Sequence, residues 1–160
     1  MNTSKLKLPI GIIVACISLV IIAGIANGVM DTLQFHYGKS VFPQGPEETF
    51  LGGSHQFWHP DLSWRNKYQD GDPDKGPAFF LSTTALVFLT DGWHLFQFIM
   101  LSAFQLAIII PFVHFLRLPW WIGLVGLIPA KVFFGIGFAL MYSWVLIEQR
   151  ENPDQTTIKQ

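Results

Sequence analysis

The most restrictive feature of this sequence is a set of long apolar stretches with almost no charge. No Asp, Glu, Lys or Arg lies within residues 8–30, and only Asp91, Arg117 and Lys131 lie within residues 76–147. Charged residues make up 13% of the chain, about half of the ~25% found in soluble domains. Because about 20 apolar residues in a helix cross the hydrocarbon core of a bilayer, the pattern predicts an all-α integral membrane protein.

Three transmembrane helices are expected, over about residues 8–30, 93–115 and 119–147. The apolar stretch from 77 to 115 is too long for one crossing, because a helix of that length would extend about 58 Å. A break at the turn dipeptide Asp91-Gly92 leaves a short interfacial helix over residues 77–90, which begins at Pro77. The expected topology is therefore three crossings and one helix at the membrane surface.

Residues 31–76 form a polar loop between the first two spans and hold eleven of the 21 charged residues. Prolines and glycines interrupt any regular period in this loop. The loop also contains eight aromatic residues, which is more than a disordered segment carries. These are Phe35, Tyr37, Phe42, Phe50, Phe57, Trp58, Trp64 and Tyr68. We therefore expect an ordered loop that packs on the bundle within a single membrane domain of residues 1–160, with a flexible tail over residues 148–160.

The two sides of the membrane differ in basic residues under this topology. Six lysines and arginines fall on the side of the loop, and three fall on the other side: Lys5, Lys7 and Arg117. The positive-inside rule therefore favours a cytoplasmic loop. Lys5 and Lys7 directly flank the first span and argue for the reverse, so both orientations stay open.

Four of the five histidines fall on the loop side together with Asp91. His55 and His59 are four residues apart, a spacing that points both imidazoles the same way on a helical turn. Neutral imidazoles bind zinc and similar divalent cations. The pattern predicts a single divalent metal bound by His36, His55, His59 and His94. Asp91 and His94 form the candidate catalytic pair, and the alternative is that Asp91 caps a helix while the histidines are ordinary interfacial residues.

Complete signatures of known catalytic sites are missing from the sequence. It contains no H-E-x-x-H motif of zinc proteases, no nucleotide-binding motif and no G-x-S-x-G motif of α/β-hydrolases. The single Cys excludes an iron–sulfur cluster and a zinc–thiolate site. His94 and His114 lie about 30 Å apart along one span, so they do not bind one haem. A net charge of −1 argues against a nucleic-acid partner.

A basic and aromatic segment follows His55. Trp58 and Trp64 are expected at the level of the lipid headgroups, where indole side chains are enriched. Arg65 and Lys67 are expected to bind anionic headgroups, each contributing about 1 kcal/mol near a charged leaflet. An ordinary juxtamembrane surface is the equally open alternative.

Lys131 is the one charged residue in the interior of a predicted span. Counted along the helices, Lys131, Gln105 and Ser18 all lie about 18–20 Å from the loop side, near the midplane. An ammonium group at that depth costs about 2.5–3.5 kcal/mol or more, so we expect it to face a polar partner. We predict a hydrogen bond from Lys131 toward Gln105, with Ser18 as the weaker candidate. Such a group either clamps the helices together or belongs to a transport path.

Small residues recur on one face of the first and third spans. Gly24 and Gly28 do so on the first span, and Gly123, Gly126 and Ala130 do so on the third. Such faces let two helix backbones approach closely. They join helices of one chain, two copies in a homo-oligomer, or this chain and another membrane protein. Membrane lipids are the remaining expected partner.

Three classes of function fit these features. The favoured class is a small polytopic membrane protein with an accessory or structural role, whose loop binds a lipid or a partner. The alternative is a membrane-embedded enzyme, with or without a metal, that acts on a lipid-like substrate through the His/Asp cluster at one membrane face. The third is an oligomeric transport element centred on Lys131, because three helices of one chain are few for a lined pathway.

Overall fold

The computed structural model describes residues 8–43, 49–50 and 53–141, and this part of the chain is mostly helical. Its helices are α1 (Ile10–Phe35), the single-turn α2 (His55–Trp58), α3 (Gly92–Phe115) and α4 (Trp121–Ala139). Helices α1, α3 and α4 are each long and apolar enough to cross a membrane, judged by length and composition. The expected set of three long apolar helices is therefore confirmed.

The bounds of α3 agree with the sequence prediction to within one residue, whereas those of α1 and α4 differ from it by two to five residues where they can be compared. Helix α3 begins one residue earlier than predicted and ends where predicted. Helix α1 begins at Ile10, two residues later than predicted, and runs five residues further, because Leu33 continues its buried stripe. Helix α4 begins at Trp121, two residues later than predicted. The predicted end of this span and the tail over 148–160 lie outside the described residues.

Helix α3 lies at the centre of the packing, because α1 and α4 each pack on it. The buried residues of α1 recur every three or four positions, which is the period of one helix face. They are Ala23, Ala26, Met30 and Leu33. Large apolar side chains on the other faces of the spans stay exposed.

The small residues of α4 join two helices of the same chain. A Cβ built on Gly123 or Gly126 would lie 3.7 Å from the Ile109 side chain of α3, an ordinary packing distance. By contrast, a Cβ built on Gly24 or Gly28 meets no atom within 4 Å among the residues described. The small-residue face of α4 is thus used within the chain, whereas a homo-oligomer through the face of α1 stays a prediction.

The interfacial α-helix predicted over residues 77–90 is wrong. This segment consists mainly of turns, with one short 3-10 helix over Val87–Leu89. Leu81 adopts a left-handed backbone conformation with φ of 59°, which an α-helix does not permit. The buried hydroxyl of Ser82 donates to the Lys67 carbonyl oxygen at 2.8 Å. Contacts to the preceding loop, which the local sequence period does not record, therefore override the helical tendency.

An aromatic core anchors the loop to the bundle. Leu33 of α1 is buried together with Phe42 and Trp58. The Trp58 ring also lies 6.3 Å from the Phe96 ring of α3, measured between ring centres. The two described strands of the loop are β1 (Thr49–Phe50) and β2 (Gly53–Ser54), which pair antiparallel. The core places α2 beside the first turns of α3.

Candidate functional site

Asp91 is the N-cap of α3, where the first backbone N–H groups of a helix lack partners within the helix. Its Oδ1 atom accepts a hydrogen bond from the backbone N of His94 at 2.8 Å. The residue is only 2% exposed. Asp91 therefore has the capping role that the sequence left open, in a buried position.

The second oxygen of the same carboxylate holds the His94 ring. Oδ2 lies 2.6 Å from Nδ1 of His94 and 3.2 Å from the Thr90 hydroxyl. Because an ionised carboxylate accepts hydrogen bonds and donates none, Nδ1 of His94 carries the proton in this contact. The neutral ring then keeps a lone pair on Nε2, for which the described part of the chain supplies no hydrogen-bond partner. The predicted pair thus forms and leaves one nitrogen able to accept a proton.

A cavity of about 310 Å³ opens beside this pair. Three indoles line it, from Trp58, Trp64 and Trp93, together with Asp91 and His94. Trp58 is a buried wall at 4% exposure, whereas Trp64 is 41% exposed. The volume lies at the small end of the range of about 300–1,000 Å³ typical of ligand pockets.

The remaining lining residues come from α1 and from the loop. They are Leu33, Gln34, Pro60 and Ser63. Sequence reasoning missed all four as site residues, because they lie in separate elements and form no motif. It also missed Trp93, whose position directly before the predicted His94 was the one available signal.

Gly92 lets the Trp58 indole pack against the start of α3. A Cβ at position 92 would lie 2.5 Å from Cε3 of Trp58 and 3.4 Å from Cδ1 of Leu33. No side chain fits at the first of these distances. The Asp91-Gly92 dipeptide therefore has two roles, because Asp91 caps the helix and Gly92 admits an indole that lines the cavity.

The 3-10 helix over Ser63–Lys67 is tied to the start of α3. Asn66 Nδ2 donates to the Thr90 carbonyl oxygen at 2.9 Å. Thr90 directly precedes Asp91 in the chain. This bond holds the 3-10 helix, which carries the cavity residues Ser63 and Trp64, close to the Asp91 carboxylate.

The structure brings His55 and His59 together with Tyr37. The two imidazole centres lie 5.2 Å apart, and the Tyr37 ring centre lies 4.9 Å from that of His59. The backbone N of Asp61 donates to Nδ1 of His59 at 3.1 Å. The proton of a neutral His59 therefore lies on Nε2, which leaves this ring no free lone pair for a metal.

The metal site predicted from four histidines is not assembled in this arrangement. His36 is exposed at the C-cap of α1, and the His94 ring is bound to Asp91. Over residues 8–43, 49–50 and 53–141, no group of three or more His, Cys, Asp or Glu side chains is placed to hold a metal ion. His55 and His59 lie instead in an aromatic cluster of the loop, and His94 pairs with Asp91 at the start of α3.

Tyr37 carries a buried polar atom in that aromatic cluster. Its hydroxyl oxygen has no hydrogen-bond partner among the residues the structure describes. Burial raises the pKa of Tyr37 above its ordinary value, because a phenolate is poorly solvated there. The pKa of Tyr37 therefore depends on how closely the loop packs against α2.

The residues expected to bind lipid divide into a buried and an exposed part. Trp58 belongs to the loop core and the cavity wall, so it is not a surface anchor at the headgroups. Trp64 and Arg65 are exposed, and the guanidinium carbon lies 5.5 Å from the centre of the indole. Lys67 Nζ lies 5.4 Å from the centre of the Tyr68 ring. A basic and aromatic surface thus borders the cavity, and its binding to lipid stays a prediction.

Lys131 does not bond to its predicted partners. Its Nζ atom lies 3.9 Å from the centre of the Phe98 ring. The Oε1 atom of Gln105 is buried and has no hydrogen-bond partner within the described chain, and Ser18 is exposed on α1. The long lysine side chain reaches the Phe98 ring, about two helical turns nearer the loop than Gln105. The predicted hydrogen bond is therefore wrong, and the transport role stays a prediction.

Comparison with protein-family models, with curated proteins and with solved structures finds no match for this chain. Its three apolar helices are compatible with a membrane protein. Because a helical bundle is compatible with many functions, the function is argued from the chemistry of the site.

Proposed function

We propose that this protein is a multi-pass membrane protein that binds an amphipathic, lipid-like molecule in the cavity beside Asp91 and His94. The single observation that carries the proposal is a cavity with three indole walls and one hydrogen-bonded polar pair at the loop-side end of the bundle. Hydrophobic and aromatic walls with a few placed polar groups are typical of small-molecule sites. Binding such a molecule is the form of accessory role that the site supports best.

The position of the cavity supports a ligand that comes from the membrane. Gln34 lies in the last turn of α1, and Asp91 and His94 lie at the start of α3. In helices that cross a bilayer, such ends lie at the headgroup level, where tryptophan is enriched. A lipid-like molecule would place its polar group in the cavity and its chain along the apolar spans.

The outer faces of the spans support insertion into a membrane. Large apolar side chains are exposed on each long helix, for example Ile25, Phe112 and Phe133. Continuous apolar surface of this kind is unfavourable in water, whereas acyl chains solvate it well. The helices satisfy most of their backbone hydrogen bonds internally, as a bilayer requires, and the Ala107 carbonyl oxygen, which Pro111 leaves without its helical partner, accepts from the Cys16 thiol of α1 at 3.4 Å.

We place the loop on the cytoplasmic side, following the positive-inside rule. The described basic residues between α1 and α3 are Lys39, Arg65, Lys67 and Lys75. Asp74→Cys in a Cys16→Ala background puts one thiol on an exposed part of the loop. A membrane-impermeant maleimide is expected to label this thiol only after the cells are permeabilised. Labelling of intact cells would reverse the orientation.

Lipid retention tests the proposed function on the full chain. The protein is purified in a non-ionic detergent, and native mass spectrometry measures the co-purified phospholipid. Trp64→Ala removes an exposed wall of the cavity, whereas Trp120→Ala removes an exposed indole at the other end of the bundle and is the matched control. We expect Trp64→Ala to lower lipid affinity about tenfold, the equivalent of one lost aromatic contact. Equal occupancy in both variants would overturn the proposal.

A second candidate function is catalysis on a lipid-like substrate, which the 2.6 Å contact between Asp91 and His94 specifically favours. Held by the carboxylate, the His94 ring presents Nε2 as a general base. Ser63 lines the same cavity and offers a hydroxyl nucleophile. Labelling by a fluorophosphonate probe, lost in both Ser63→Ala and His94→Gln, would support this function. A wild-type protein that stays unlabelled at saturating probe would exclude this serine mechanism.

A further inference from the structure

The charges around the cavity restrict the chemical class of its ligand. Asp91 is the one carboxylate among the described lining residues, and neither lysine nor arginine is among them. His94 in its neutral form adds no charge. A buried carboxylate acts in a medium of low dielectric, where charges interact more strongly than in water. With His94 in its neutral form, the cavity therefore favours a cationic group over an anionic one.

The hydrogen bonds of Asp91 distinguish between two kinds of cation. Its oxygens already accept bonds from the His94 backbone N and from His94 Nδ1, while the Thr90 hydroxyl at 3.2 Å makes its shorter bond to the Val87 carbonyl oxygen at 2.7 Å. A primary ammonium brings three N–H donors, which would have to share the Asp91 carboxylate with His94 or bond to the other acceptors of the lining, His94 Nε2, Gln34 and Ser63. A quaternary ammonium has no N–H group and needs only negative potential and aromatic faces.

The walls supply aromatic faces of the right kind. Indole is the side-chain ring that attracts cations most strongly, within about 6 Å of its centre. Trp64 is exposed and Trp93 is partly exposed, so their rings are accessible to a ligand, and Trp58 is a buried part of the same lining. Three indoles around one carboxylate match the recognition of a quaternary ammonium.

Outside the cavity the sign of the charge is reversed. The guanidinium of Arg65 lies beside the exposed indole of Trp64, and Lys67 follows on the same 3-10 helix. Guanidinium groups bind phosphate through charge-assisted hydrogen bonds. In a phosphocholine group a phosphate is linked to a quaternary ammonium. The ammonium would match the negative cavity, and the phosphate would match the positive rim.

We propose that the cavity binds a quaternary ammonium group, carried by a phosphocholine headgroup whose phosphate contacts Arg65. This inference rests on the proposed lipid-binding function and names the headgroup that the site selects. The quaternary ammonium lies among the indoles near Asp91, and the acyl chains extend along the spans.

Titration of the full chain with three short-chain lipids tests the headgroup. Dihexanoyl phosphatidylcholine, phosphatidylethanolamine and phosphatidylglycerol are added to the protein in a maltoside detergent, and calorimetry measures binding. We expect the choline lipid to bind at least about tenfold more tightly than the other two. Equal affinity for all three would overturn the quaternary ammonium but keep lipid binding, and absence of binding by every lipid would overturn both.

Small cations distinguish a lipid headgroup from a free ligand. Tetramethylammonium chloride is expected to displace the choline lipid, and ammonium chloride at the same concentration is not. Binding of tetramethylammonium without binding of any lipid would support the aromatic site and overturn the lipid-binding function. Equal displacement by both salts would overturn the selection of a quaternary group.

Variants locate the effect in the cavity. Asp91→Asn removes the charge and keeps a side chain that caps helices well, and Trp64→Leu removes one indole. We expect each to weaken binding of the choline lipid about tenfold, while Trp120→Leu at the other end of the bundle leaves it unchanged. Circular dichroism confirms that each variant is folded. Unchanged affinity in folded Asp91→Asn or in Trp64→Leu would overturn the proposal.

Discussion

The two ends of the helix bundle are built in different ways. At the loop-side end, the buried polar side chains of Asp91, Thr90 and Ser82 each make hydrogen bonds. At the other end, α4 rests on α3 through Gly126 against Ile109. Hydrogen bonds between buried groups fix one geometry, whereas apolar contacts tolerate rearrangement. The loop-side end is therefore held by specific polar contacts, and the other end by apolar packing.

Gly92→Ala is expected to have the largest effect, because its Cβ would overlap the Trp58 ring. The indole must move, and overpacking of this kind costs about 1–3 kcal/mol. Gly123→Ala is the matched control at the other end, where the new Cβ has ordinary contacts at 3.7 Å. It is expected to be neutral or to stabilise the helix by up to about 1 kcal/mol. Thermal unfolding in detergent, followed by circular dichroism, measures both, and equal shifts would contradict the difference between the ends.

Asp91→Ala is expected to lower stability by about 1–2 kcal/mol, the usual cost of a lost N-cap. The backbone N and ring Nδ1 of His94 would both lose their partner. Trp120, at the N-cap of α4, makes no side-chain capping bond, so Trp120→Ala is expected to change stability by less than about 0.5 kcal/mol. Chemical unfolding in mixed micelles measures the free energy of each variant. An equal loss of stability in Asp91→Ala and Trp120→Ala would contradict the difference between the two ends of the bundle.

Tyr37→Phe is expected to stabilise the protein slightly, by up to about 1 kcal/mol, because it removes a buried hydroxyl without a described partner. It also carries a pH dependence. Since burial raises the pKa of Tyr37 in the folded state, folding favours the neutral phenol. The stability of the wild type then falls as the pH rises through about 10, where the unfolded phenol ionises. The melting temperatures of the wild type and of Tyr37→Phe should therefore move apart between pH 8 and 11. A constant difference over this range would show that Tyr37 is not buried.

Lys131→Met is expected to have the smallest effect, within about 1 kcal/mol of zero. The variant loses the contact between the ammonium and the Phe98 ring, and it also removes a charge from an apolar span. The two changes oppose each other. Gln105→Leu, on the facing helix, is the control for loss of a polar group. A destabilisation above about 2 kcal/mol for Lys131→Met would reveal a polar partner and would assign this part of the bundle a specific geometry.

The spans and the cap at Asp91 were predictable because each depends on local sequence. A charge-free stretch fixes where α1 and α3 run, and an Asp before an apolar helix is a typical N-cap. The fate of residues 77–90 was not predictable in this way, because the Ser82 hydroxyl bonds to the carbonyl of Lys67, fifteen residues earlier. Local period carries no information about such a partner.

The contact between Asp91 and His94 was predictable from the sequence, but the walls of the cavity beside it were not. Three-residue spacing correctly paired Asp91 with His94, because both lie on one helical turn. The position of Trp58 depends on the absence of a side chain at Gly92, and this fit is visible only in three dimensions. The same applies to Lys131, whose flexible side chain has several reachable partners within one helix length.

Residues 69–76 form a loop whose two ends lie next to each other. Tyr68 pairs with Pro77 in an antiparallel bridge, and the N–H of Gln69 donates to the Gly76 carbonyl oxygen at 3.0 Å. Residues inserted into this loop would lengthen it without separating its two ends, and doubling the length of the loop costs only about 0.6 kcal/mol. The exposed tip at Asp74 is therefore a suitable place for an affinity epitope or a fluorescent reporter, which would follow the protein in a cell.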